Sequence, residues 1–527
     1  MAIEEFLRPL HLDVATAHQL SREFHQTFRY LAAESQDQFL PTPITESILR
    51  PTAGSEKGRY LAIDIGGTNL RVGFVELLGD DSDTATPFGV NGAAHGRQNG
   101  HSESPRLRRV LEKSWPILEH FKNEAEDALF AWIGSCIAEV VQDGCNHYDI
   151  PADSNLPLGV TFSFPMVQST LSQATLMSMG KGFAITSNLD LGSHLLKGYA
   201  AATQGSSLPS IEVVAIANDS VATLVSFVYQ SHESASRKAS MGLICGTGCN
   251  ATIALRKDML HHGKLPLKVG VNAQEDHDEH IKIAVNTELS INGTAPALHK
   301  YGLVSEWDKK LDAEGDKPGF QPLEYMTAGR YLGELGRLVL VDYLQRELGH
   351  DIESLPTKLL KRFSMSTTFL SHFRPPHAPE LLGKLQAEFP VSDARFQWTD
   401  DLALAVYKIA KIIELRAAGI IAAATIGLLA CAGDLPLEPL QDRTNQPTQP
   451  NGHVHATELI VGYTGGCIEH FQDYLTDCQD FLDQTIEAEF GKEAPVRVLL
   501  SPCHDGGIKG AGVLAGSSQA KPVVRGH

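Results

Sequence analysis

Two glycine–threonine turns are the part of this sequence best suited to hold phosphate groups. One is Asp64-Ile65-Gly66-Gly67-Thr68 and the other is Gly246-Thr247-Gly248, and each lies between apolar segments. Glycine lets backbone N–H groups approach phosphate oxygens closely, and a threonine hydroxyl adds a donor. Asp64 can hold Mg²⁺ through water, because this hard cation keeps its hydration shell. A single turn of this kind is also typical of an ordinary hairpin, but two of them, with a glycine-rich segment near the C-terminus, favour a nucleotide site.

Asp219 is the candidate general base. It follows the apolar segment 213–217 and Asn218, at the point where a helix is predicted to begin. Ligands of α/β proteins bind at the carboxyl ends of strands, and phosphoryl transfer mainly needs an oriented alcohol with a base beside it. An aspartate or asparagine at this place is also typical of a helix N-cap. Taken alone, the pattern favours the cap, and both interpretations stay open.

The elements that must position these residues alternate between strands and helices, which predicts an α/β fold. Segments typical of strands lie at 59–64, 158–165, 213–217, 241–245 and 496–500, and helical periodicity is present at 114–141, 220–229, 329–348 and 398–432. The apolar residues on both sides of Gly66-Gly67-Thr68 indicate a hairpin rather than the strand-to-helix turn of a dinucleotide site. The second turn has the same surroundings, so the two hairpins suggest a duplicated architecture.

Composition excludes several classes of function. The chain has 527 residues, enough for two or three domains, and a formal net charge of −19. Such a charge repels nucleic acid and anionic membranes. The eight cysteines contain no C-x-x-C pair, which indicates reduced thiols and a cytoplasmic protein. The longest apolar stretch, 417–432, is shorter than the roughly 20 residues of a membrane span, and we expect a buried core helix there.

Six motifs in this order resemble the hexokinase family of the actin-like ATPase superfamily. They are DIGGTNLR, TFSFP…KGF, NDSVATL, GTGCNA, NTE and PGFQPLEYMTAGRYLGELGR, and the resemblance extends from about Pro41 to Gly512. It implies a two-lobed α/β fold, with small and large domains around a cleft for sugar and ATP. It also implies ATP with Mg²⁺ as the phosphoryl donor and the 6-hydroxyl of a hexose as the acceptor. The expected partners are therefore small molecules; the oligomeric state is left open.

The resemblance also implies a role for each residue that occupies a motif position. Asp219 matches the catalytic base and Lys181 the lysine of the sugar loop. The expected sugar-binding residues are Ser163, Phe164, Lys181, Asn218, Asp219, Asn250, Glu288 and Glu324. The expected surroundings of ATP and its metal are Asp64, Gly66, Gly67, Thr68, Asn69, Arg71, Thr223, Gly246, Thr247 and Gly248, with Gly506, Lys509 and Gly510 in the adenosine segment. No side chain is expected to bind the metal directly; Mg²⁺ would arrive with ATP and meet Asp64 through water.

The same resemblance divides the chain into four segments. Residues 1–57 would be an N-terminal helical part of the large domain, 58–215 the small domain with a surface insertion at 79–104, 216–500 the rest of the large domain with a surface loop at 435–455, and 501–527 the adenosine segment returning toward the small domain.

Three departures from the family pattern bear on the sugar. Met179-Gly180 replaces Trp-Thr before the sugar-loop lysine, Leu289-Ser290 replaces Trp-Gly after the sugar glutamate, and Gly507-Ile508 replaces Ser-Gly in the adenosine segment. These replacements remove a hydroxyl that would bind the sugar and leave more space in the sugar pocket, a pattern that resembles the fungal N-acetylglucosamine kinases. The resemblance predicts phosphorylation of N-acetylglucosamine to its 6-phosphate. Met179 or Leu289 would contact the methyl of the acetyl group. A general hexokinase or glucokinase acting on glucose, and a non-catalytic sugar sensor, are the alternatives.

Overall fold

The computed structural model describes most of the chain. The described residues are 3–51, 56–79, 106–118, 126–177, 189–231, 233–271, 273–315, 317–374, 378–437 and 457–519. The predicted sugar-loop residues Met179, Gly180 and Lys181 lie outside them, as do the predicted insertion at 79–104 and the predicted loop at 435–455, apart from the first residues of each.

The described residues form thirteen strands and seventeen α-helices. The strands are β1 (Leu40–Thr45), β2 (Gly58–Ile65), β3 (Asn69–Leu77), β4 (Leu107–Pro116), β5 (Asn155–Phe162), β6 (Met166–Thr170), β7 (Gln173–Leu176), β8 (Ser210–Asn218), β9 (Arg237–Cys245), β10 (Cys249–Arg256), β11 (Lys282–Asn286), β12 (Glu458–Thr464) and β13 (Arg497–Pro502). The helices are α1 (Ile3–Phe6), α2 (Val14–Glu34), α3 (Glu46–Leu49), α4 (Glu126–Tyr148), α5 (Leu191–Ala202), α6 (Asp219–Gln230), α7 (Ala273–His277), α8 (Ala295–Lys300), α9 (Glu306–Ala313), α10 (Pro322–Thr327), α11 (Gly329–Asp342), α12 (Thr367–Ser371), α13 (Ala378–Glu388), α14 (Asp400–Cys431), α15 (Gly466–His470), α16 (Tyr474–Phe490) and α17 (Gly506–Gln519).

The chain divides into two compact units. The first unit comprises Met1–Pro41, Glu233–Leu265 and Val285–His504, and the second comprises Thr42–His232, Pro266–Ala284 and Asp505–His527. The second unit thus keeps helix α6 and Asp219 together with the strands before them, whereas the predicted boundary at residue 215 separates them. The assignment of the four predicted segments to a small and a large domain stays a prediction.

The second unit is built on a five-stranded sheet with the order β4-β3-β2-β5-β8. Strands β2, β3 and β4 are antiparallel neighbours, and β2, β5 and β8 run parallel. Side chains two residues apart on a strand share a face, so Leu61, Ile63 and Ile65 of β2 all enter one buried core with helices α4 and α5. Helix α17 packs against β2, β3 and β5. The sheet is therefore covered by helices, as the apolar character of its parallel strands requires.

One predicted element of this unit is wrong. Helical periodicity was expected from residue 114, but Leu107–Pro116 is strand β4, which pairs antiparallel with β3, and the helix begins at Glu126. The strand lies at the edge of the sheet and most of its side chains are only partly buried. Buried and exposed positions do not alternate along β4, so its sequence does not display a period of two.

Strands β9, β10, β12 and β13 of the first unit repeat this strand arrangement, as the neighbours β10-β9-β12-β13 of a second sheet. Strands β9 and β10 form an antiparallel hairpin around Gly246-Thr247-Gly248, and β12 and β13 continue in parallel beside β9. The second unit has the same hairpin, β2 and β3, followed by parallel β5 and β8. This topology confirms the duplicated architecture and both predicted hairpins.

Helix α14 is the core helix of the first unit. It has 32 residues and is long and apolar enough to cross a membrane, but 89% of its most apolar window is buried in the protein. It packs against α2 and α16. Its buried Arg416 is paired inside the same unit, because both terminal nitrogens contact the Asp308 carboxylate at 2.7 and 2.8 Å. The buried core helix predicted at 417–432 is confirmed as the C-terminal half of α14.

Candidate functional site

In the second unit, three predicted site residues, Asp64, Asn218 and Asp219, lie at or next to the carboxyl ends of the parallel strands. Asp64 of β2 lies opposite Thr161 of β5, and Phe162 of β5 lies opposite Asn218 of β8. Parallel neighbours end at the same edge of a sheet, which is where α/β folds bind ligands. The strand register therefore brings Asp64 and Asp219 together from positions far apart in the sequence.

Asn218 carries the helix cap that the sequence left ambiguous. Its Oδ1 accepts hydrogen bonds from the backbone N–H of Ser220 at 2.9 Å and from the Ser220 hydroxyl at 2.7 Å. Its Nδ2 donates to the backbone oxygen of Phe164 at 3.2 Å, and a contact of Asn218 with the sugar stays a prediction. Asp219 is the first residue of α6, is half-buried, and accepts from the same Ser220 N–H at 2.9 Å. The N-cap position therefore belongs to Asn218, while Asp219 stays the predicted catalytic base.

The carboxyl group of Asp64 is held in an environment that disfavours its charge. Removal from water, followed by repulsion from Asp219, raises the pKa of Asp64 to about 7, although the positive charge of Arg71 acts in the opposite direction. Arg71 is itself shared, because it contacts the Asp505 carboxylate at 3.0 Å, and Arg109 contacts the same carboxylate at 2.9 Å. Sequence reasoning did not include Asp505 in the site. Its position in the Asp-Gly-Gly motif, in a segment with no other acidic residue, could have identified it.

The donor set around Asp64 fits a divalent cation that arrives with a nucleotide. The carboxylates of Asp64 and Asp219 repel one another, and a hard cation with its water shell would relieve this repulsion. Among the described residues, no group of three or more His, Cys, Asp or Glu side chains is arranged to hold a metal by itself. A hydrated Mg²⁺ that arrives with a nucleotide would suit these two carboxylates, and the contact of Asp64 with such an ion through water stays a prediction.

The glycines of the adenosine segment have a packing function in this unit. A Cβ at Gly506 would lie 2.7 Å from Oγ1 of Thr223, and one at Gly510 would lie 2.1 Å from the backbone oxygen of Ala222. These glycines let α17 pack directly on α6. A Cβ at Gly507 would lie 2.6 Å from the Asp64 carboxylate, so this glycine borders the candidate metal site. Half-buried Lys509 lies on the same helix. Contact of Gly506, Lys509 and Gly510 with adenosine stays a prediction.

The first Gly-Thr turn and the strand after it have the expected local structure. The N–H of Gly66 donates to the oxygen of Asn69 at 2.9 Å, which closes the hairpin and leaves Thr68 and Asn69 exposed. A Cβ at Gly67 would meet no atom within 4 Å, so a ligand has room there. The remaining predicted sugar residues of this unit follow β5. Ser163 is anchored by its N–H to the oxygen of Ile65 at 3.0 Å, and Phe164 is buried.

In the first unit, the second Gly-Thr turn lies against a predicted sugar residue. Oε2 of Glu324 accepts from the N–H of Cys249 at 3.1 Å, and a Cβ at Gly248 would lie 2.8 Å from this oxygen. On its other side the turn is held by α11, because the N–H of Gly329 donates to the oxygen of Gly246 at 2.8 Å. Gly248, which is expected at the phosphates, therefore lies next to Glu324, which is expected at the sugar.

Asn250 and Glu288 are brought together by a residue that sequence reasoning missed. Nδ2 of Asn286 donates to Oε1 of Glu288 at 2.9 Å, and Oδ1 of Asn286 accepts from Nδ2 of Asn250 at 2.9 Å. Nδ2 of Asn250 also reaches Oε1 of Glu288 at 3.2 Å. Asn286 is buried and two residues before Glu288. Its place in the same short Asn-Thr-Glu motif is the signal that could have found it.

Two family models match consecutive parts of the chain. A family model described as Hexokinase matches residues 2–229, and a second one of the same description matches residues 240–517. Hexokinase from Schistosoma mansoni is 26% identical over 516 residues, covering 98% of this chain and 96% of that protein. Hexokinase-2 from Solanum tuberosum is 27% identical over 471 residues, covering 88% and 80%. Hexokinase from Schwanniomyces occidentalis is 31% identical over 318 residues, covering 60% and 56%.

Solved structures show the same fold. A structure described as hexokinase from Schistosoma mansoni complexed with glucose has a TM-score of 0.70 at 23% identity and covers 98% of both chains. A second, described as a crystal structure of hexokinase, has a TM-score of 0.68 at 20% identity with the same coverage. The two-lobed actin-like fold predicted from the motifs is therefore confirmed. The narrower resemblance to fungal N-acetylglucosamine kinases is not supported, because these relatives are named hexokinases.

Proposed function

The chain belongs to the hexokinase family of sugar kinases, and on that premise we propose that it transfers the γ-phosphoryl group of ATP to the 6-hydroxyl of a hexose. The observation that carries the proposal is the pair of carboxyl groups at the edge of the second unit's sheet. Asp219 begins α6 without being needed as its cap, and Asp64 lies beside it with a pKa raised to about 7. One carboxylate is thus available as a base and the other as a partner for hydrated Mg²⁺.

In the proposed reaction the Asp219 carboxylate accepts the proton of the sugar's 6-hydroxyl. The hydroxyl oxygen forms a bond to the γ-phosphorus, the bond from phosphorus to the β,γ-bridging oxygen breaks, and ADP leaves with that electron pair. Bound Mg²⁺ would offset the negative charge on the phosphate oxygens. Asp64 would hold the hydrated ion, and the amides and carboxylates of Asn250, Glu288 and Glu324 would orient the sugar hydroxyls.

We propose that the substrate is a common hexose such as glucose rather than N-acetylglucosamine. The relatives are named hexokinases, and one related structure is described as complexed with glucose. Leu289, which was expected to contact the acetyl methyl, is 1% exposed, and Ser290 beside it is 2% exposed. A side chain already buried in its own unit adds no new apolar contact when a ligand binds. These observations support a general hexokinase that acts on glucose, which is one of the alternatives that the sequence leaves open.

A sugar panel tests this proposal. Purified protein with saturating ATP and Mg²⁺ is assayed for ADP release with glucose, fructose, mannose and N-acetylglucosamine, and without sugar as the control. We expect kcat/KM for glucose to exceed that for N-acetylglucosamine by at least about tenfold, which corresponds to 1.36 kcal/mol or more. The reverse preference would restore N-acetylglucosamine as the substrate. Sugar binding measured by calorimetry, without sugar-dependent ADP release, would instead identify a sensor.

A further inference from the structure

The buried amide of Gln38 binds both ends of the segment that begins at Glu288. Its Nε2 donates to the backbone oxygen of Glu288 at 2.8 Å, and its Oε1 accepts from the N–H of Gly293 at 3.0 Å. Gln38 is 1% exposed and 250 positions away from Glu288 in the chain. Every strong hydrogen-bonding atom of this side chain is thus directed to one short segment, Glu288–Gly293.

Glu288 needs such support because its backbone is unfavourable. Its φ angle is +45°, in the left-handed region that residues with a side chain rarely adopt and that is retained only where the surroundings impose it. The direction of the Glu288 side chain depends on this backbone angle. In the observed conformation the carboxylate reaches the amides of both Asn286 and Asn250.

Gln38 is itself held firmly in place. Nζ of Lys264 donates to the backbone oxygen of Gln38 at 2.8 Å, and the N–H of Gln38 donates to the hydroxyl of Ser35 at 3.1 Å. The next residue, Phe39, donates its N–H to the oxygen of Thr287 at 3.0 Å. The fit at the other end is close, since a Cβ at Gly293 would lie 2.0 Å from Oε1 of Gln38. The segment before β1 therefore forms a rigid support for the Glu288 backbone.

We propose that Gln38 is a positioning residue for sugar recognition, which holds Glu288 in the conformation that directs its carboxylate to the sugar. The inference rests on the proposed function, because it takes Glu288 as a sugar ligand. It assigns Gln38 an effect on the sugar alone, because Glu288 and Gly293, which Gln38 binds, are not among the residues expected to surround the nucleotide.

The test compares Gln38→Ala and Gln38→Met with Gln472→Ala. Gln472 is the matched control, because it is also buried in the first unit and its Nε2 also donates to backbone oxygens, of Leu370 at 2.8 Å and Phe373 at 2.7 Å. Methionine keeps the length and volume of Gln38 but removes both hydrogen bonds, which protects the test against a simple loss of packing. For each protein, kcat, the KM for glucose, the KM for ATP and the melting temperature are measured.

We expect both Gln38 variants to lose about tenfold to a hundredfold in kcat/KM for glucose, the scale of a misplaced binding group, with the KM for ATP unchanged. Gln472→Ala should lower the melting temperature and leave both KM values near those of the wild type. Hydrogen exchange of a peptide that spans 286–294 should also become faster in the Gln38 variants and stay unchanged in Gln472→Ala.

Equal losses in the Gln38 and Gln472 variants, or a parallel rise in the KM for ATP, would show a merely structural role and overturn the inference. Unchanged kinetics in Gln38→Met would overturn it as well. If neither Gln38 variant folds, exchange of 286–294 in the wild type decides: protection equal to or below that of exposed loops contradicts a rigid support. Failure of the proposed function is a separate result, since the wild type would then show no turnover with any sugar.

Discussion

The carboxyl groups of Asp64 and Asp219 repel one another at the edge of the second unit's sheet. This repulsion adds to the burial of Asp64 and raises its pKa to about 7. In the unfolded chain the carboxyl titrates near its ordinary value of 3.8, so between these two values the folded protein binds more protons. Stability contributed by the neutral carboxyl is thus fully present below pH 3.8 and is lost as the pH rises through 7.

Asp64→Asn should therefore stabilise the protein more at pH 8 than at pH 5. At pH 8 the substitution removes a charge that is partly withdrawn from water and repelled by Asp219, whereas at pH 5 it replaces a carboxyl that is already neutral. Melting temperatures of both proteins across this range provide the measurement, and kinase activity should fall at the same time, because the group proposed to hold hydrated Mg²⁺ is lost. Asp153→Asn removes an exposed carboxylate of the same unit and is the control. A melting-temperature difference that does not change with pH would contradict the prediction.

Asp219→Ala should remove catalysis without removing the helix. We expect kcat to fall roughly 10²–10⁴-fold, the usual effect of a positioned base, with a melting temperature equal to or above that of the wild type. The cap remains, because Asn218 accepts from Ser220.

The matched variant for that experiment is Asp13→Ala. Asp13 is a true N-cap, since its side chain accepts from the N–H of Thr16 at 2.7 Å. Its loss should cost about 0.5–2 kcal/mol of stability and leave kcat unchanged. The two variants should therefore show opposite patterns. Near-normal turnover of Asp219→Ala would mean that the proposed mechanism is incorrect.

Gly507→Ala should weaken the use of ATP. The new Cβ would lie 2.6 Å from the Asp64 carboxylate, so this side chain must move away from the position proposed for hydrated Mg²⁺. Gly383→Ala is the control, because Gly383 is an exposed helix residue whose added Cβ would meet no atom within 4 Å. We expect a rise in the KM for ATP only in Gly507→Ala, and a gain of up to about 1 kcal/mol in stability for Gly383→Ala. Equal kinetics of the two variants would argue against the close approach of Gly507 to Asp64.

The two glycines of the second Gly-Thr turn should affect different substrates. A Cβ at Gly248 would lie 2.8 Å from Oε2 of Glu324, so Gly248→Ala should displace a predicted sugar ligand and raise the KM for glucose. A Cβ at Gly246 would have its nearest contact at an ordinary 3.4 Å, so Gly246→Ala should act mainly by obstructing phosphate and raise the KM for ATP. Steady-state kinetics with each substrate varied in turn measures both values. An identical effect of both variants on the two KM values would exclude separate functions for the two glycines.

Residue type and short-range order alone were enough to predict the two hairpins, the family and the fold. Glycines that allow a tight turn, and an apolar strand that ends in Asn218 and Asp219, are local requirements of the backbone, so they remain readable in the sequence. The same local information misassigned β4, because this strand buries few of its side chains and its buried positions do not alternate. It also could not decide which of Asn218 and Asp219 caps α6, since both residue types serve equally well.

Only the tertiary structure decided how the candidate site is supported. Gln38 reaches Glu288 across 250 positions, and Arg71 reaches Asp505 across 434. The glycines of α17 were assigned from sequence to adenosine, yet their missing side chains are also what allows α17 to pack on α6. The pKa of Asp64 likewise depends on the register that places β2 and β8 on either side of β5. These properties arise from distances between segments that are remote in the chain, and such distances exist only once the strands have paired and the helices have packed.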